Sequence, residues 1–481
     1  MTLFLKHTLM INTFKQHPTG LWFLCGIEIW ERFSYYGMRA ILVLYLTSKF
    51  WGMSDTQAYL TYGSYVAFVY MTPLIGGYVA DRFLGHVTSV KYGCVFILMG
   101  HLLLSLDSSF FLGLGFVVVG TGFFKSAMNV NIGNLYSHNN NLKDSAYTLY
   151  YMAVNTGSAL ATISIPLIAK YYGWHFGFVA AAFGMYLGLL VFIIGQSKGH
   201  IAKNNIDITK LKHITISTIG VMLTFVFAYL ISHPGNTGWL LYTLAGMALL
   251  YLAFKAVNGG KEYMLAIMAV FKISVIVMVF WIVFEQGATS MLLFIHRYVD
   301  LNIFGFTISA ANVSVANNIF VIVLSPLFAI IWTKYNLNIF NKMGMGLILS
   351  GFSMVVITIA SYYAMQGNIV SLWWIILVYL LMTMGELACS PTGLSAISKV
   401  APTDIAAILF GLWGIKSSIS NYLASYIASS TDIGASDGTI GFITKQAQAY
   451  YDLYYTLAIA SIIFGLIVML LSKPMHKLYK I

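Results

Sequence analysis

The sequence predicts an all-α protein that crosses a membrane fourteen times, and three observations carry that prediction. Of 481 residues, 59% are hydrophobic and 9% charged, against about 25% charged in a soluble chain, and the mean hydropathy is +0.81. The apolar residues gather into runs of about 20, the length of a membrane-spanning helix. Between the runs, cation-rich and cation-poor loops alternate, as the two sides of a membrane require.

Taken in order, the runs are 20–47, 57–80, 87–106, 110–135, 146–170, 174–195, 213–232, 238–257, 263–295, 308–332, 340–365, 369–395, 403–430 and 446–472. The ninth is long enough to tilt or to break near Gly287. Eighteen cations, from Lys6, Lys15 and Arg82 through Lys477 and Lys480, fall on one side, and only Lys49, Lys170, Arg297 and Lys445 on the other. That asymmetry predicts both termini in the cytoplasm of a multi-pass inner (plasma) membrane protein, and it agrees with an even number of spans. The net charge of +11 therefore belongs to the loops, and no basic soluble domain is present to bind nucleic acid. Cys25, Cys94 and Cys389 sit inside apolar runs and imply no disulfide framework. The first residues read as a short cytoplasmic arm, because the run that follows is too long and too charged for a cleaved signal.

The most polar connection, Gln196 to His213, follows the sixth run, and a second polar patch, Lys255 to Glu262, precedes the ninth. These predict an N-terminal six-helix lobe (1–196), a linker with two inserted helices (197–260) and a C-terminal six-helix lobe (261–481). The inserted helices carry no charge near their middles, which suits helices that face lipid.

Polar residues inside the runs point to function. On the first helix, at 100° per residue, Glu31, Arg32, Tyr35 and Arg39 lie about −60°, +40°, −20° and +20° from Glu28, in one stripe about 100° wide. A charge at the bilayer centre costs about 2.5–3.5 kcal/mol, so this stripe must face protein or water. It reads as the wall of a conduit; the alternative is a Glu28–Arg32 pair that only fixes packing. Polar residues recur on matching helices of the two lobes. Glu285 lies on the first helix of the second lobe, Lys125 and Glu386 on the fourth helices, and Asn155 and Trp413 with Lys416 on the fifth. Such matching predicts a site at the lobe interface near the midplane, as in alternating-access carriers.

Several stretches resemble known families. Gly76-Gly77-Tyr78-Val79-Ala80-Asp81-Arg82-Phe83-Leu84-Gly85 resembles the signature loop of the major facilitator superfamily. The stretch Glu28-Ile29-Trp30-Glu31-Arg32-Phe33-Ser34-Tyr35-Tyr36-Gly37 is similar to the E-x-x-E-R-F-x-Y-Y-G motif of the proton-dependent oligopeptide transporters, and Tyr147 to Ser158 resembles that family's fifth-helix signature. Gly385-Glu386-Leu387 with Ser390 to Ser395 resembles its tenth-helix motif, and Phe410 to Trp413 with Asn421 to Ala424 its eleventh. The chain departs from the pattern at Asn317-Asn318, where the family usually reads Asn-Pro, and at Ser314, Thr156 and Ala159.

The resemblance implies a major facilitator fold and a proton-coupled symporter that imports di- and tripeptides by alternating access. A short peptide is a zwitterion about 6–10 Å between its termini. The resemblance assigns Arg39 and Lys125 to its carboxylate, where a guanidinium fork suits a planar anion, and Glu386, with Asn155 and Asn317, to its amine. Tyr35, Tyr36, Tyr70, Trp281 and Trp413 would line side-chain pockets, with Ser417 one turn beyond Trp413; ordinary packing serves Tyr35 and Trp281 equally well. For proton coupling the resemblance singles out Glu285, which would pair with Arg39 when the outer gate closes, and Glu28, Glu31 and Arg32 form a second candidate switch.

Lys416 lies outside the family motif. It shares a face with Trp413, Ser417, Ser420 and Asn421 and is expected to face Glu386 or Glu285; the alternative is a lysine that snorkels. His101 reads as a satisfied packing histidine, and His138 and His296 as loop-side. No metal-ligand spacing, nucleophile motif or phosphate loop occurs, so no enzyme and no cofactor beyond a transmembrane proton gradient is expected. The partners are di- and tripeptides, protons and the lipid bilayer, and a monomer is expected. The alternative functions are a proton-coupled carrier of another small zwitterion, a drug-efflux antiporter and, from other classes, a membrane-embedded enzyme or a channel.

Overall fold

The computed structural model describes residues 16–136, 142–201, 209–335, 337–400, 406–434 and 439–479, with backbone alone at 144, 391–392, 394–400, 406–408 and 410–411. Every predicted run has its helix. In order these are α1 (Thr19–Thr47), α2 (Asp55–Val79), α3 (His86–Leu104), α4 (Phe110–Leu135), α5 (Lys143–Tyr172), α6 (Trp174–Ser197), α7 (Lys210–Ser232), α8 (Pro234–Asn258) and α9 (Gly260–Phe284). A 3-10 turn at Glu285–Ala288 leads into α10 (Ser290–Tyr298), so the ninth run breaks where Gly287 predicts. Then follow α11 (Val315–Lys334), α12 (Ile339–Met365), α13 (Leu372–Val400), α14 (Ala406–Ala428), α15 (Ile440–Leu470) and the short α16 (Ser472–Tyr479).

Eleven spans among the described residues are long and apolar enough to cross a membrane. Helices α1, α2 and α14 fall short of that measure because of the charges of α1, the tyrosines and threonines of α2, and Lys416 with its neighbouring serines in α14. The connection before α11 holds a two-stranded hairpin, Asn302–Ile303 against Phe306–Thr307, that the sequence leaves as a loop. Its two-residue turn puts both Phe304 and Gly305 at positive φ, as a tight hairpin demands.

The chain divides into two compact units, one of Met1–Arg39 with Thr72–Tyr229, the other of Ala40–Met71 with Leu230–Ile481. In the first, α3 and α4 meet through glycines: a Cβ on Gly100 would come within 2.8 Å of the Gly113 carbonyl, and the converse holds for Gly113. Without side chains the backbones approach closely enough for dispersion to hold them in a membrane. Gly157 of α5 likewise abuts the Ile29 carbonyl of α1, which fixes the α1 stripe against α5. Gly85, at φ 69°, ends the π turn Ala80–Leu84 before α3. Inserted helix α7 docks on this unit, where Gly115 of α4 admits the Thr224 backbone.

In the second unit α12 and α15 pack through Gly344, Gly351 and Gly465. A core of Val270, Ile273, Val277, Phe280, Leu347 and Leu409 joins α9, α12 and α14. Inserted helix α8 is held by the Tyr422 hydroxyl, which donates to the Pro234 carbonyl at 2.9 Å. Both inserted helices expose large apolar side chains, among them Met222, Phe225, Trp239 and Leu250.

Candidate transport site

In the first unit the α1 stripe forms a buried ion network. Arg32 Nε lies 2.8 Å from Glu28 Oε1 and 2.6 Å from Glu31 Oε2, and all three residues are buried. The i, i+4 spacing of Glu28 and Arg32 puts the pair on one face, and the guanidinium carbon also sits 5.6 Å from the Tyr35 ring centroid. Tyr35 is buried and meets half-buried Tyr36 edge to face at 5.2 Å. Lys125 of α4 joins the network within electrostatic reach of Glu28, Glu31, Arg32 and Arg39. Asn155 of α5 is half-buried, its amide donating to the Tyr151 carbonyl of its own helix at 2.9 Å.

In the second unit Glu285, Glu386 and Lys416 each have a neutral neighbour. Glu285, at the break after α9, is buried and accepts from the Tyr62 hydroxyl at 3.4 Å. The broken turn needs partners for its freed backbone groups, and its side chains supply them. Thr289 Oγ1 donates to the Glu285 carbonyl at 3.0 Å, while Gln286 donates to the carbonyls of Ile282 and of Ala424 in α14, each at 3.1 Å. Half-buried Asn317 of α11 donates to Glu386 Oε2 and to Thr383 Oγ1, each at 2.9 Å. Trp281 packs edge to face on Phe284 at 5.0 Å, and Tyr70 is half-buried on α2.

Lys416 corrects the sequence. Its ammonium lies 4.0 Å from the Trp413 ring centroid, it is buried, and among the described residues it makes no ion pair with Glu285 or Glu386. The i−3 spacing sets the indole under the lysine stem, and a desolvated cation–π contact substitutes for the expected carboxylate. Ser417 Oγ donates to the Trp413 carbonyl at 3.1 Å. Gln286, Tyr62 and Thr383 are missed by the sequence reasoning. Gln286 was findable as a polar residue inside a span, whereas Tyr62 is one of 32 tyrosines with nothing to mark it.

Other ionisable groups serve structure. His101 is fully buried with neither ring nitrogen hydrogen-bonded among the described residues, so it packs but is not satisfied; His296 is exposed and His138 lies outside the described residues. His17, ahead of α1, bonds Tyr136 through Nδ1 at 2.6 Å and Ser145 through Nε2 at 3.2 Å, tying together the ends of α4 and α5. Burial pushes its imidazole below the usual value. Arg297 grips Asp55 with both terminal nitrogens at 2.6 and 2.7 Å and donates to Tyr450 at 2.9 Å. Although burial pulls the other way, the Thr56 and Gly434 backbone N–H groups hold the Asp432 carboxyl below its ordinary range. The Ser390–Ser395 and Phe410–Trp413 motifs fall partly on side chains outside the described residues.

The profile of the POT family matches residues 87–440. The chain belongs to the POT family. This POT-family chain is 32% identical to the uncharacterized transporter YclF of Bacillus subtilis (strain 168), over 97% of the chain and 96% of that protein. It is 30% identical to the peptide transporter YePEPT of Yersinia enterocolitica, over 97% and 96%. Its fold superposes on a crystal structure of the peptide transporter POT in complex with alafosfalin with a TM-score of 0.83 at 29% identity, covering 96% of both chains. The fold is thus that of the major facilitator superfamily, and membership in a transporter family removes the enzyme reading.

Proposed function

We propose that this chain is a proton-coupled symporter that imports di- and tripeptides across the inner (plasma) membrane by alternating access, with both termini in the cytoplasm. Its transport halves are 1–196 and 261–481, the inserted helices lie in 197–260, and it works as a monomer without a cofactor. The observation that supports this best, beside the family, is the sign of each polar cluster. In the first unit three cations (Arg32, Arg39, Lys125) stand against two carboxylates (Glu28, Glu31); in the second, one cation (Lys416) stands against two (Glu285, Glu386). One surplus positive and one surplus negative charge are what a zwitterion needs. Arg39 and Lys125 take the peptide carboxylate, Glu386 with Asn155 and Asn317 takes the amine, and Tyr35, Tyr36, Tyr70, Trp281, Trp413 and Ser417 line the side-chain space. Glu285 exchanges the transported proton, with Glu28, Glu31 and Arg32 as its counterpart in the first unit.

Labelled dialanine offered to proteoliposomes tests this directly. Accumulation is expected only with an inward proton gradient, and free alanine is expected not to compete. Accumulation above equilibrium that survives a protonophore would rule symport out.

A further inference from the structure

Inserted helix α7, with α2 and α4, lines a crevice of about 430 Å³. Its walls follow from three close approaches. A Cβ on Gly76 of α2 would strike the Gly122 carbonyl of α4, so these two helices nearly touch and leave a furrow beside the contact. Gly115 receives the backbone of α7 at Thr224. Near the other end of α7, the Tyr92 hydroxyl of α3 bonds His213 Nδ1 at 2.9 Å and Ser217 Oγ at 3.1 Å. Helix α7 is therefore held near its start and again at Thr224, and the furrow beneath it becomes a crevice.

The crevice is apolar along its length, with Ile75, Phe83, Ile216, Ile219 and Leu223 among its walls, and among the described residues Lys212 is its one charged lining residue. Lining residues on α7 run from Leu211 to Phe227, about 24 Å at ~1.5 Å per residue, deeper than one leaflet's ~15 Å of hydrocarbon. At the Lys212 mouth the neighbouring charges reinforce its sign. Lys210 precedes it by two residues, Arg82 adjoins Phe83, and Lys91 adjoins Tyr92. Among the described residues the acid near this end, Asp81, is turned toward His86 at 3.2 Å.

We propose that the crevice between α2, α4 and α7 binds an anionic glycerophospholipid, with an acyl chain in the apolar channel and the headgroup phosphate on Lys212. A long dry slot with a cationic rim is complementary to that amphiphile, and basic pockets between membrane helices recognise anionic headgroups in this way. The orientation proposed above puts this headgroup in the cytoplasmic leaflet; binding itself does not depend on it or on the transported substrate.

The test uses the full chain in phosphatidylcholine nanodiscs doped with phosphatidylglycerol that carries a photoactivatable acyl chain, with adducts mapped by mass spectrometry. Adducts are expected on α7 and α2 at crevice positions, about fivefold above those given by an equally labelled phosphatidylcholine, the worth of one lysine at the rim. Lys212→Gln should bring the two lipids level. Ile219→Trp, which fills the channel, should suppress crevice adducts from both. Equal labelling by the two lipids in the parent chain, labelling spread evenly over α7 and α8, or crevice adducts unchanged in Ile219→Trp would each overturn the proposal. Dialanine uptake, measured in parallel, verifies that each variant is folded and separates a failure here from a failure of the peptide reading.

Discussion

Arg32 stands between two carboxylates at 2.8 and 2.6 Å, whereas Glu386 stands against an amide, Glu285 against a phenol and Lys416 against an indole. The two regions hold similar charges by different means, and the means decide what each can do. Removing one member of the first network strands another deep in the protein, so that network is structurally committed. Glu386 of the second region accepts from a neutral amide, a partner that stays satisfied whether or not the acid carries a proton. The first region holds its carboxylates against a shared cation, and the second holds Glu386 against an amide.

The largest effect is expected where a charge is stranded. Arg32→Met leaves Glu28 and Glu31 buried without their shared cation, a loss of about 3–5 kcal/mol by the measure of other broken buried pairs. It should lower the melting temperature in detergent steeply, and Glu28→Gln/Glu31→Gln in the same background should recover much of the loss. A melting temperature for Arg32→Met near the parent's would mean that the network is solvated and uncommitted.

Next comes a loss of coupling without a loss of fold. Glu285→Gln keeps a partner for Tyr62 and is expected to melt like the parent, to abolish gradient-driven uptake, and to retain part of the peptide counterflow, which needs no net proton movement. Equal loss of driven uptake and counterflow would make Glu285 a structural member of the α9 break and would erase the contrast between the regions.

How much of this was legible follows the same division. Covalent spacing put Glu28, Glu31, Arg32 and Arg39 on one stripe, and helical periodicity alone sufficed because the partners lie on the same helix. The spans were legible for a similar reason, since a bilayer imposes one length on every run; the break at Glu285–Ala288 was foreshadowed by Gly287. Contacts between helices were not legible. Nothing in the sequence says that Tyr62 reaches Glu285, that Gln286 reaches Ala424, or that Asn317 bridges Thr383 and Glu386, because such meetings depend on packing angles. Lys416 shows the hazard of balancing charges along a sequence: the balance pairs it with a carboxylate, whereas an aromatic face three residues away is the nearer partner.

A smaller effect is expected at the membrane-flanking end of the first unit, and it depends on pH. His17 bonds Tyr136 and Ser145, and burial lowers its affinity for protons. The unfolded chain therefore binds a proton more readily than the folded one, so stability is complete above the unfolded value of about 6.5 and falls as pH drops below it. His17→Gln should flatten this part of the profile of melting temperature between pH 7 and 5. An unchanged slope would assign the acid sensitivity to other groups.

The smallest effect is expected at Lys416, and it decides whether this ammonium pairs with a carboxylate in the working protein. If the ammonium lowered the proton affinity of Glu386 or Glu285 by direct charge, Lys416→Met would ease protonation of that acid and move the pH dependence of uptake toward higher pH. The structure instead places the ammonium 4.0 Å from the Trp413 ring centroid, a contact worth about 0.5–2 kcal/mol. Methionine keeps most of the stem and its packing on the indole while it removes a buried charge. Lys416→Met is therefore expected to give a pH profile of dialanine uptake that overlays the parent's, with a melting temperature changed only slightly. A shift of that profile to higher pH would show that Lys416 reaches a carboxylate in another state of the transport cycle, and would turn the second region into a switched ion pair.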